Sequence, residues 1–337
     1  MKKEIDFKVD IVLPWVNPQD PEWFEERKKI GDDIIVSDYR DWGLLKYVFR
    51  SIEKYALWVN KVYLITWGHL PSFLNLDNEK LVIVNHKDYI PEKYLPTFSS
   101  HVLELNMHRI KGLSEHFIYF NDDLFFVNPT KKTDFFSKDG LPLDSAIINP
   151  VAPARYDTIC NVMVNMIGII NEHFNKRNVM YKNIFKWYNY KYGVYNFLNL
   201  MFAPWGKFPG LLQQHLPASF LKSTFTKVWE QENQILDMTC THKIRNFKTD
   251  VNQYLMKEWQ IAEGNFAPRS TKIGDRFLIE TKDDANKAVK YMKKSFPKVV
   301  CLNDHLKSND EKEINEIIDI LKNTLEEKLN EKSEFEI

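Results

Sequence analysis

Cysteine is scarce in this 337-residue chain, which has only Cys160, Cys240 and Cys301. Their number is odd and they stand far apart, which argues against a disulfide framework and a clustered zinc motif and fits a reducing compartment. Long apolar runs are also lacking. No stretch approaches the ~20 residues of a membrane-spanning helix, and the N-terminal residues include lysines but no apolar signal segment. We therefore expect a cytoplasmic protein that could still contact the inner face of a membrane peripherally.

An excess of either charge is absent too, since 46 basic residues balance 46 acidic ones. This balance excludes a bulk nucleic-acid binder, so no nucleic-acid partner is expected. Aromatic residues, in contrast, are plentiful: nine Trp, 15 Tyr and 23 Phe. Their faces suit stacking on sugars and bases, although most of them are expected in the core. A chain of this length can form one large domain or two ordinary ones.

The segment HFIYFNDDLFF, at residues 116–126, is the organising element of the sequence. Its aromatic and β-branched first half has the composition of a buried strand, and it ends at Asn121, Asp122 and Asp123. At the carboxyl edge of an open α/β sheet, such residues line the ligand crevice. Two carboxylates and an amide suit Mg²⁺ or Mn²⁺ held beside phosphate oxygens. The alternative is a simple turn or helix cap, which these residue types also favour.

Strands and helices alternate around this segment. Short apolar runs at 8–13, 62–66 and 81–84 predict strands, and helical spacing of apolar residues predicts helices at 38–55 and 99–110. Such alternation indicates a mostly parallel sheet. The predicted fold class is therefore α/β: a Rossmann-like, mostly parallel sheet flanked by helices, with a helical insertion and a C-terminal helix.

The loop after the first strand is where such folds bind a nucleotide. In this chain it is rich in proline, and it offers Trp15 for stacking on a base or ribose and Asn17 or Asp20 for hydrogen bonds. The alternative is a rigid turn around a buried Trp. Arg40 precedes the second predicted helix, where it could face a phosphate or stay solvated.

Two other parts of the chain add candidate residues. His101 and Arg109 belong to the helical segment that leads into the Asn-Asp-Asp strand, although a lone His on such a helix is more often structural than catalytic. Asn303 and Asp304 follow the apolar run at 299–302 and repeat the pattern of polar residues just beyond a strand. Asp304 is accordingly a third candidate metal ligand, and Asn303 a candidate for binding the nucleotide-sugar.

Four ordered blocks of the chain resemble the conserved regions of the Stealth family. The blocks are VDIVLPWVNPQDP, then RDWGLLKYVFRSIEKYALWVNKVYLIT with LPTFSSHVLELNMHRIKGLSEHFIYFNDDLFF, then HLPASFLKSTFTKVWEQE with THKIRNFKTDVNQY, and finally KVVCLNDH. The resemblance runs from about Lys8 to about His305, with a gap in the middle. One difference is Asn17-Pro18, where members commonly have Asp-Gly. A carboxylate role is therefore not expected at position 17, although an amide could still bond a nucleotide.

Stealth proteins are sugar-1-phosphate transferases of microbial capsular and cell-wall polysaccharide synthesis, and they include the catalytic subunit of the lysosomal-enzyme N-acetylglucosamine phosphotransferase. The resemblance implies transfer of a sugar-1-phosphate from a UDP-sugar to a hydroxyl of a glycan or lipid-linked oligosaccharide acceptor. The product is a phosphodiester, and UMP is released. Two alternatives stay open: a metal-dependent glycosyltransferase that releases UDP, and a glycan-binding protein without catalysis.

The resemblance also implies residue roles, because His215 and Arg245 match the family's functional His and Arg. An imidazole can accept the acceptor's proton, and a guanidinium can hold two phosphate oxygens. Phosphoryl transfer depends on positioning and charge neutralisation, which suits Asp122 and Asp123 as ligands of Mg²⁺ or Mn²⁺ or as partners of the acceptor hydroxyl. The general base is left open among His215, His101 and an Asp.

We divide the chain into four parts on this basis. They are a nucleotide-sugar-binding α/β core at 1–149, a basic, aromatic and mostly helical insertion at 150–212, the completion of the catalytic core at 213–305, and a C-terminal helix and tail at 306–337. The insertion could lie on an anionic membrane through residues 171–212, cradle an acceptor glycan, or simply pack on the core.

Smaller elements complete the expectations. They are helices at 218–232 and 249–258, a loop at 239–245 and a strand at 276–279. Ser308 and Glu311 suggest a capping box before an apolar helical face at 314–325. The tail after Leu329 is expected to fray.

Overall fold

The computed structural model describes residues 7–31, 40–153, 155, 159–308 and 310–337. Residues 1–6, and the first two residues of the helix predicted at 38–55, lie outside the described part of the chain. The described residues form strands and α-helices joined by loops and short 3₁₀ turns.

The predicted strands at 8–13, 62–66, 81–84 and 276–279 are present to within two residues, together with strands that the sequence did not predict. They are β1 (Val9–Pro14), β2 (Val62–Thr66), β3 (Leu81–Asn85), β4 (His116–Tyr119), β5 (Leu124–Phe126), β6 (Leu143–Asp144), β7 (Ala218–Leu221), β8 (Ala267–Pro268), β9 (Gly274–Ile279) and β10 (Val299–Asp304). The run predicted at 62–66 matches β2 residue for residue.

The helices surround these strands. They are α1 (Pro21–Lys28), α2 (Leu45–Tyr55), α3 (Ser100–Asn106), α4 (Ile159–His173), α5 (Lys176–Lys182), α6 (Ile184–Trp187), α7 (Asn196–Met201), α8 (Lys222–Gln231), α9 (Asn233–Thr241), α10 (Tyr254–Glu263), α11 (Lys282–Met292) and α12 (Glu311–Lys328). α2 begins at Leu45, later than the sequence pattern indicated.

The main sheet has the strand order β3-β2-β1-β4-β7. Its first four strands are parallel, with Ile11 of β1 opposite Val62 on one side and Ile118 on the other, and β7 pairs antiparallel with β4. The predicted α/β class with a mostly parallel sheet is confirmed. Because the chain extends outward from β1 in both directions, strand order reverses between β1 and β4, and a crevice is expected at their carboxyl ends.

Both faces of the main sheet are covered, as its near-continuous apolar strands require. Alternate residues of β1 belong to two different cores: Val12 packs into one, and Ile11 and Leu13 pack into the other. The core that contains Val12 is covered by α3, α8, α10 and the insertion helices, while α2, α11 and α12 cover the opposite core. The sheet is therefore held rigidly, and so is its carboxyl edge.

A second, smaller sheet follows the main sheet in the chain and has the strand order β5-β10-β9. After β4 the chain turns and enters β5, which pairs antiparallel with β10, and β10 pairs in parallel with β9. Helices α11 and α12 pack against each other, and α11 also packs on β9 and β10. The turn between β4 and β5 thus lies where the two sheets meet.

Four of the smaller expectations are wrong in detail. Residues 218–221 form β7 rather than the start of a helix, because pairing with β4 extends them. α9 continues through Thr241 into the predicted loop, and α10 lies several residues later than the helix predicted at 249–258. Asp310, not Ser308, caps α12, with its side chain accepting from the Lys312 backbone N–H.

The insertion is helical, as predicted, and contains α4 to α7. Val162, Trp187 and Phe208 from this segment are buried in the same core as Phe117 of β4. In the part of the chain that the structure describes, no helix has the length and apolarity needed to cross a membrane. The four-part division of the chain stays a prediction.

The expectation that the tail frays is wrong, because its residues dock on α2. Phe335 is buried and packs against Phe49, and Asn75 N–H donates to the Phe335 carbonyl. Arg50 donates through Nε and a terminal nitrogen to the two carboxylate oxygens of Glu336, each at 2.9 Å, and through its other terminal nitrogen to Leu329 O at 2.9 Å. Burial of Phe335 and the bidentate pair outweigh the polar composition of this segment.

We expect Glu336→Gln to lower the free energy of unfolding by about 1–2 kcal/mol, since it removes the charge opposite a nearly buried guanidinium. The cost stays at this level because Glu326 also approaches Arg50, at 3.5 Å. Urea unfolding measures the change, with the exposed Glu331→Gln as the matched control. Equal stability of the two variants would contradict the docking of the tail.

Candidate active site

The turn between β4 and β5 carries Asn121, Asp122 and Asp123 to the carboxyl edge of the main sheet. Two backbone hydrogen bonds hold it: Leu124 N–H donates to Asn121 O at 3.2 Å, and Leu302 N–H donates to Asp123 O at 2.9 Å. The second bond attaches the turn to β10. The three polar residues therefore lie at the edge where a ligand crevice was expected, on backbone that both sheets fix.

Asp123 is the centre of a hydrogen-bond cluster. Its Oδ2 accepts from Asn303 Nδ2 at 3.0 Å and from Cys301 Sγ at 3.2 Å, and it lies 3.4 Å from His215 Nε2. Desolvation alone would raise the pKa of this carboxyl, but the hydrogen bonds and charge of His215, with those from Cys301 and Asn303, lower it. The other oxygen, Oδ1, is buried and has no hydrogen-bond partner within the described residues.

Asp122 differs from its neighbour. It is exposed at the surface, although the surrounding protein atoms reduce the hydration of its carboxylate. Loss of hydration to the surrounding protein, followed by the charges of Asp123 and Asp41, raises its pKa to about 7. Because neighbouring carboxylates repel each other, ionisation of both is favoured only when a cation or a hydrogen-bond donor compensates their charge. The electrostatics of the two carboxylates therefore favour a positively charged ligand.

His215 faces this pair through one ring nitrogen. Its Nε2 lies near Asp123 and 3.1 Å from the Asn121 side-chain amide, while its Nδ1 lies 3.5 Å from the Tyr254 hydroxyl at the start of α10. Burial lowers the pKa of His215, but the hydrogen bond and charge of Asp123 outweigh burial and raise it overall. Both nitrogens thus have defined neighbours, which orient the imidazole over the turn.

A buried carboxylate braces the wall behind His215. Glu104 of α3 accepts from the Tyr119 hydroxyl at 3.1 Å and from the Gln253 backbone N–H at 3.4 Å. Tyr119 is the last residue of β4, and Gln253 precedes Tyr254. Glu104 therefore connects the strand that ends at the carboxylate turn with the helix that carries the tyrosine.

The loop that carries Arg245 is fixed by Asp250. Its buried carboxylate contacts His101 Nδ1 at 2.9 Å and His242 Nδ1 at 2.6 Å and accepts from Asn246 N–H at 2.8 Å. His101 lies one helical turn before Glu104, next to the wall just described. The structure thus uses His101 to anchor the loop, and Arg245 is half-buried within that loop.

Arg40 and Asp304 contact each other at the end of β10. Arg40 donates to both carboxylate oxygens, each at 3.0 Å, and Asp304 also accepts from Trp42 Nε1 at 3.0 Å and from Leu306 N–H at 2.9 Å. A metal on Asp304 would have to displace this guanidinium, and a phosphate on Arg40 would have to compete with the carboxylate. Their assigned roles as metal ligand and phosphate ligand stay predictions.

The three nucleotide candidates of the first loop converge on His69. The Trp15 and His69 rings form a T-shaped pair with a centroid distance of 5.3 Å, Asn17 N–H donates to His69 Nε2 at 2.7 Å, and Asp20 lies 3.7 Å from His69 Nδ1. Asp20 also caps α1 by accepting from Trp23 N–H at 2.8 Å. Because His69 follows β2, these contacts join the carboxyl ends of two neighbouring strands.

Arg109 contacts residues other than those of the β4–β5 turn. Its Nε donates to Asn106 Oδ1 at 2.9 Å, and its guanidinium lies 4.8 Å from the centre of a Trp229 ring. The chain after it leads to Ser114, whose N–H donates to Asp10 near the start of β1. Arg109 therefore lies toward the amino edge of the sheet, and no contact among the described residues joins it to Asp123.

Sequence reasoning missed several residues of the crevice, among them Tyr254, Cys301 and Arg276. Arg276 of β9 is exposed and is the register partner of Cys301, and its charge opposes the rise in the His215 pKa. The sequence signal that could have identified Arg276 was its charge at the first position of the strand predicted at 276–279. Cys301 carries a thiol whose pKa burial raises well above its usual range, so it acts as a donor to Asp123.

Two family descriptions match the N-terminal part of the chain. "Stealth protein CR1, conserved region 1" matches residues 7–34, and "Stealth protein CR2, conserved region 2" matches residues 38–144. The second match includes β2, β3, α3 and the turn with Asn121, Asp122 and Asp123.

Curated relatives match almost the whole chain. A protein named capsular polysaccharide phosphotransferase WcwK, from Streptococcus pneumoniae, is 39% identical over 336 residues, which is 98% of each chain. Receptor polysaccharide phosphotransferase WefC from Streptococcus oralis is 37% identical and covers 98% of this chain and 99% of its own. Exopolysaccharide phosphotransferase cps2G from Lactiplantibacillus plantarum is 36% identical, with 98% and 96% covered.

Proposed function

The chain belongs to the Stealth family of polysaccharide phosphotransferases, and on that premise we propose that it transfers a sugar-1-phosphate from a UDP-sugar to a glycan hydroxyl and releases UMP. The acceptor is a glycan or a lipid-linked oligosaccharide of capsular or cell-wall polysaccharide synthesis. The acceptor oxygen forms a bond to the β-phosphorus, and the bond from this phosphorus to the oxygen of the UMP leaving group breaks. The anomeric carbon keeps its oxygen, so the donor configuration is retained.

The observation that carries this proposal is the pairing of two neighbouring carboxylates with an imidazole at the carboxyl edge of the sheet. Phosphoryl transfer requires positioning, charge neutralisation and a proton acceptor rather than a covalent intermediate. Asp122 and Asp123 supply negative charge for a cation, and His215, 3.4 Å from Asp123, supplies a group that can take a proton. Arg245 and the exposed Arg276 are the cations we assign to the phosphates.

The residues present suit a divalent metal, Mg²⁺ or Mn²⁺. Asp123 Oδ1 is buried and has no hydrogen-bond partner among the described residues, and loss of hydration followed by repulsion from Asp123 raises the pKa of Asp122. Hard oxygen ligands of this kind favour these ions, which supply charge stabilisation for the transferred phosphate. We assign the metal to Asp122 and Asp123. Cys301 is not a ligand in this assignment because Mg²⁺ and Mn²⁺ prefer oxygen ligands to a thiolate.

His215 is our choice for the general base. Burial lowers its pKa, but the hydrogen bond to Asp123 and the charge of that carboxylate raise it overall. Neutralising that charge removes the interaction that favours the imidazolium, so the imidazole becomes able to accept the hydroxyl proton near neutral pH. His101 is less suited to this role, because its Nδ1 is bound to buried Asp250. We also infer a cytoplasmic location, since the three cysteines of the sequence are few, odd in number and far apart.

The test is an assay of the purified chain with Mg²⁺, a panel of UDP-sugars and glycan acceptors. We expect UMP by chromatography together with a phosphodiester signal by ³¹P NMR, and we expect both to disappear when EDTA removes the metal and to return with added Mg²⁺ or Mn²⁺. UDP without a phosphodiester would instead identify a glycosyltransferase. Full activity in EDTA would contradict the metal assignment alone.

A further inference from the structure

The insertion exposes far more apolar surface than the rest of the protein. Of the 21 large apolar side chains that are exposed among the described residues, ten lie between positions 181 and 205. Phe185, Tyr190 and Val194 are each 85% exposed and Phe197 is 66% exposed. We call these ten side chains the aromatic surface. A patch of this density marks an interaction site, because isolated exposed apolar residues are ordinary but clusters are not.

The fold holds these side chains outward. On α7, Asn199 is buried and bonds the Trp187 and Ala146 carbonyls and the Ile148 N–H. The helical period then directs Phe197 and Leu200 away from Asn199, toward solvent. Exposure of this helix face follows from the inward anchoring of Asn199.

A buried lysine fixes the end of the same segment. Lys176 is 1% exposed, and its Nζ donates to the carbonyls of Phe202, Ala203 and Trp205 at 2.6, 3.2 and 2.9 Å. A buried ammonium that satisfies three backbone acceptors makes this chain reversal well defined. The aromatic surface is therefore supported by interior hydrogen bonds and is not a loose loop.

The charge of the segment is one-sided although the chain as a whole is neutral. Between positions 173 and 229 the sequence has no Asp or Glu but eight Lys and Arg. Arg177, Lys182, Lys191 and Lys207 among them are exposed. Such a surface is complementary to a layer of anionic groups. A second copy of the same surface would bring like charges together, which disfavours a symmetric dimer through it.

We propose that the aromatic surface docks on an anionic lipid bilayer, with aromatic rings in the headgroup layer and basic side chains on the lipid phosphates. Aromatic and basic residues together are the composition of interfacial membrane binders. Trp205 lies shortly before His215 in the chain, and Leu212 N–H donates to Ile147 O at 2.9 Å between them. Docking would thus bring the segment that leads to His215 to the bilayer, where a lipid-linked acceptor is presented.

Vesicle co-sedimentation of the full chain tests this proposal. We expect binding to mixed phosphatidylcholine–phosphatidylglycerol vesicles, weakened by salt, and little binding to pure phosphatidylcholine. The double variant Phe185→Ser with Phe197→Ser should bind about tenfold more weakly or worse, since each ring contributes interfacial burial. The matched control is Leu57→Ser with Phe296→Ser, two sites 73% and 56% exposed outside the insertion. Circular dichroism of all variants checks that they fold.

Equal binding of the two double variants, or no binding of the unaltered chain to either vesicle, would overturn the proposal. The proposal would also fail if the unaltered chain formed a concentration-dependent dimer and only Phe185→Ser with Phe197→Ser abolished it. The aromatic surface would then be an interface between copies of the chain. If Phe185→Ser with Phe197→Ser lost binding to a free glycan but still bound vesicles, the aromatic surface would be a glycan-binding site instead. Membrane binding is measured without turnover, so failure of the transferase proposal would leave this result readable.

Discussion

Replacing Asp123 with Asn should lower the rate of UMP formation by about 10³-fold while leaving the fold intact. The amide is nearly isosteric, so the backbone hydrogen bond from Leu302 to residue 123 is preserved. The substitution removes the negative charge of the carboxylate that Asn303, Cys301 and His215 surround. It also makes the oxygen at the Oδ1 position, which is buried without a hydrogen-bond partner among the described residues, a weaker metal ligand. The loss should therefore appear in turnover and in the metal requirement.

The matched control for this change is Asp139→Asn, which alters an exposed carboxylate outside the crevice and should keep full activity. Steady-state kinetics at several Mg²⁺ concentrations, with thermal melting of both variants, make the comparison. If Asp123→Asn retained normal turnover and normal Mg²⁺ dependence, neither the metal assignment nor the position of the site at the β4–β5 turn would stand.

Much of the main sheet could be predicted from sequence because each strand is a local signal. The runs that became β1, β2 and β4 are buried on both faces, β3 at the sheet edge is partly exposed, and all four read as continuous apolar stretches with turn residues after them. Polar residues directly after β4 could be placed at the carboxyl edge for the same reason. The position of the Asn-Asp-Asp turn followed from strand direction alone.

β7 could not be recognised in this way. Four residues, 218–221, are too few to show a period of two, and a short apolar run looks the same in a buried helix and a buried strand. Only the antiparallel pairing with β4, in which Ala218 faces Tyr119, decides the conformation. That pairing is long-range, and no local pattern reports it.

The contacts around the crevice are long-range as well. The pairs Arg40 with Asp304, and Asp123 with Asn303, join residues far apart in the sequence. The sequence shows that each of these residues is present, but it does not show which of them contact each other in the fold. The resemblance supplied His215 and Arg245 as candidates, whereas the support of His215 by Tyr254 depends on how α10 packs.

The tail shows the same limit for stability. Its polar composition predicted fraying, yet one aromatic residue and one carboxylate were enough to dock it. The partners of Phe335 and Glu336 are on α2, near the other end of the chain, and a local window does not contain them. Composition describes what a segment could do alone, and tertiary contacts override it.

His215→Gln should reduce turnover by about 10²- to 10⁴-fold and change the KM for the UDP-sugar little, because the role assigned to His215 is proton transfer and not donor binding. Glutamine keeps a polar side chain of similar reach but has no group that titrates near neutral pH. Tyr254→Phe removes only the hydroxyl that lies 3.5 Å from Nδ1 and should cause a much smaller loss of turnover.

Added imidazole separates proton transfer from a structural role for His215. It should partly restore turnover of a His215→Gly variant, since a free imidazole can occupy the space and accept the proton, and it should not affect the Asp123→Asn variant. The control is His173→Gln, a histidine on α4 that pairs with Glu232, where normal activity is expected. An increase in KM with unchanged turnover in His215→Gln would assign the residue to donor binding. The general base would then be His101 or a carboxylate of the β4–β5 turn, the alternatives that the sequence left open.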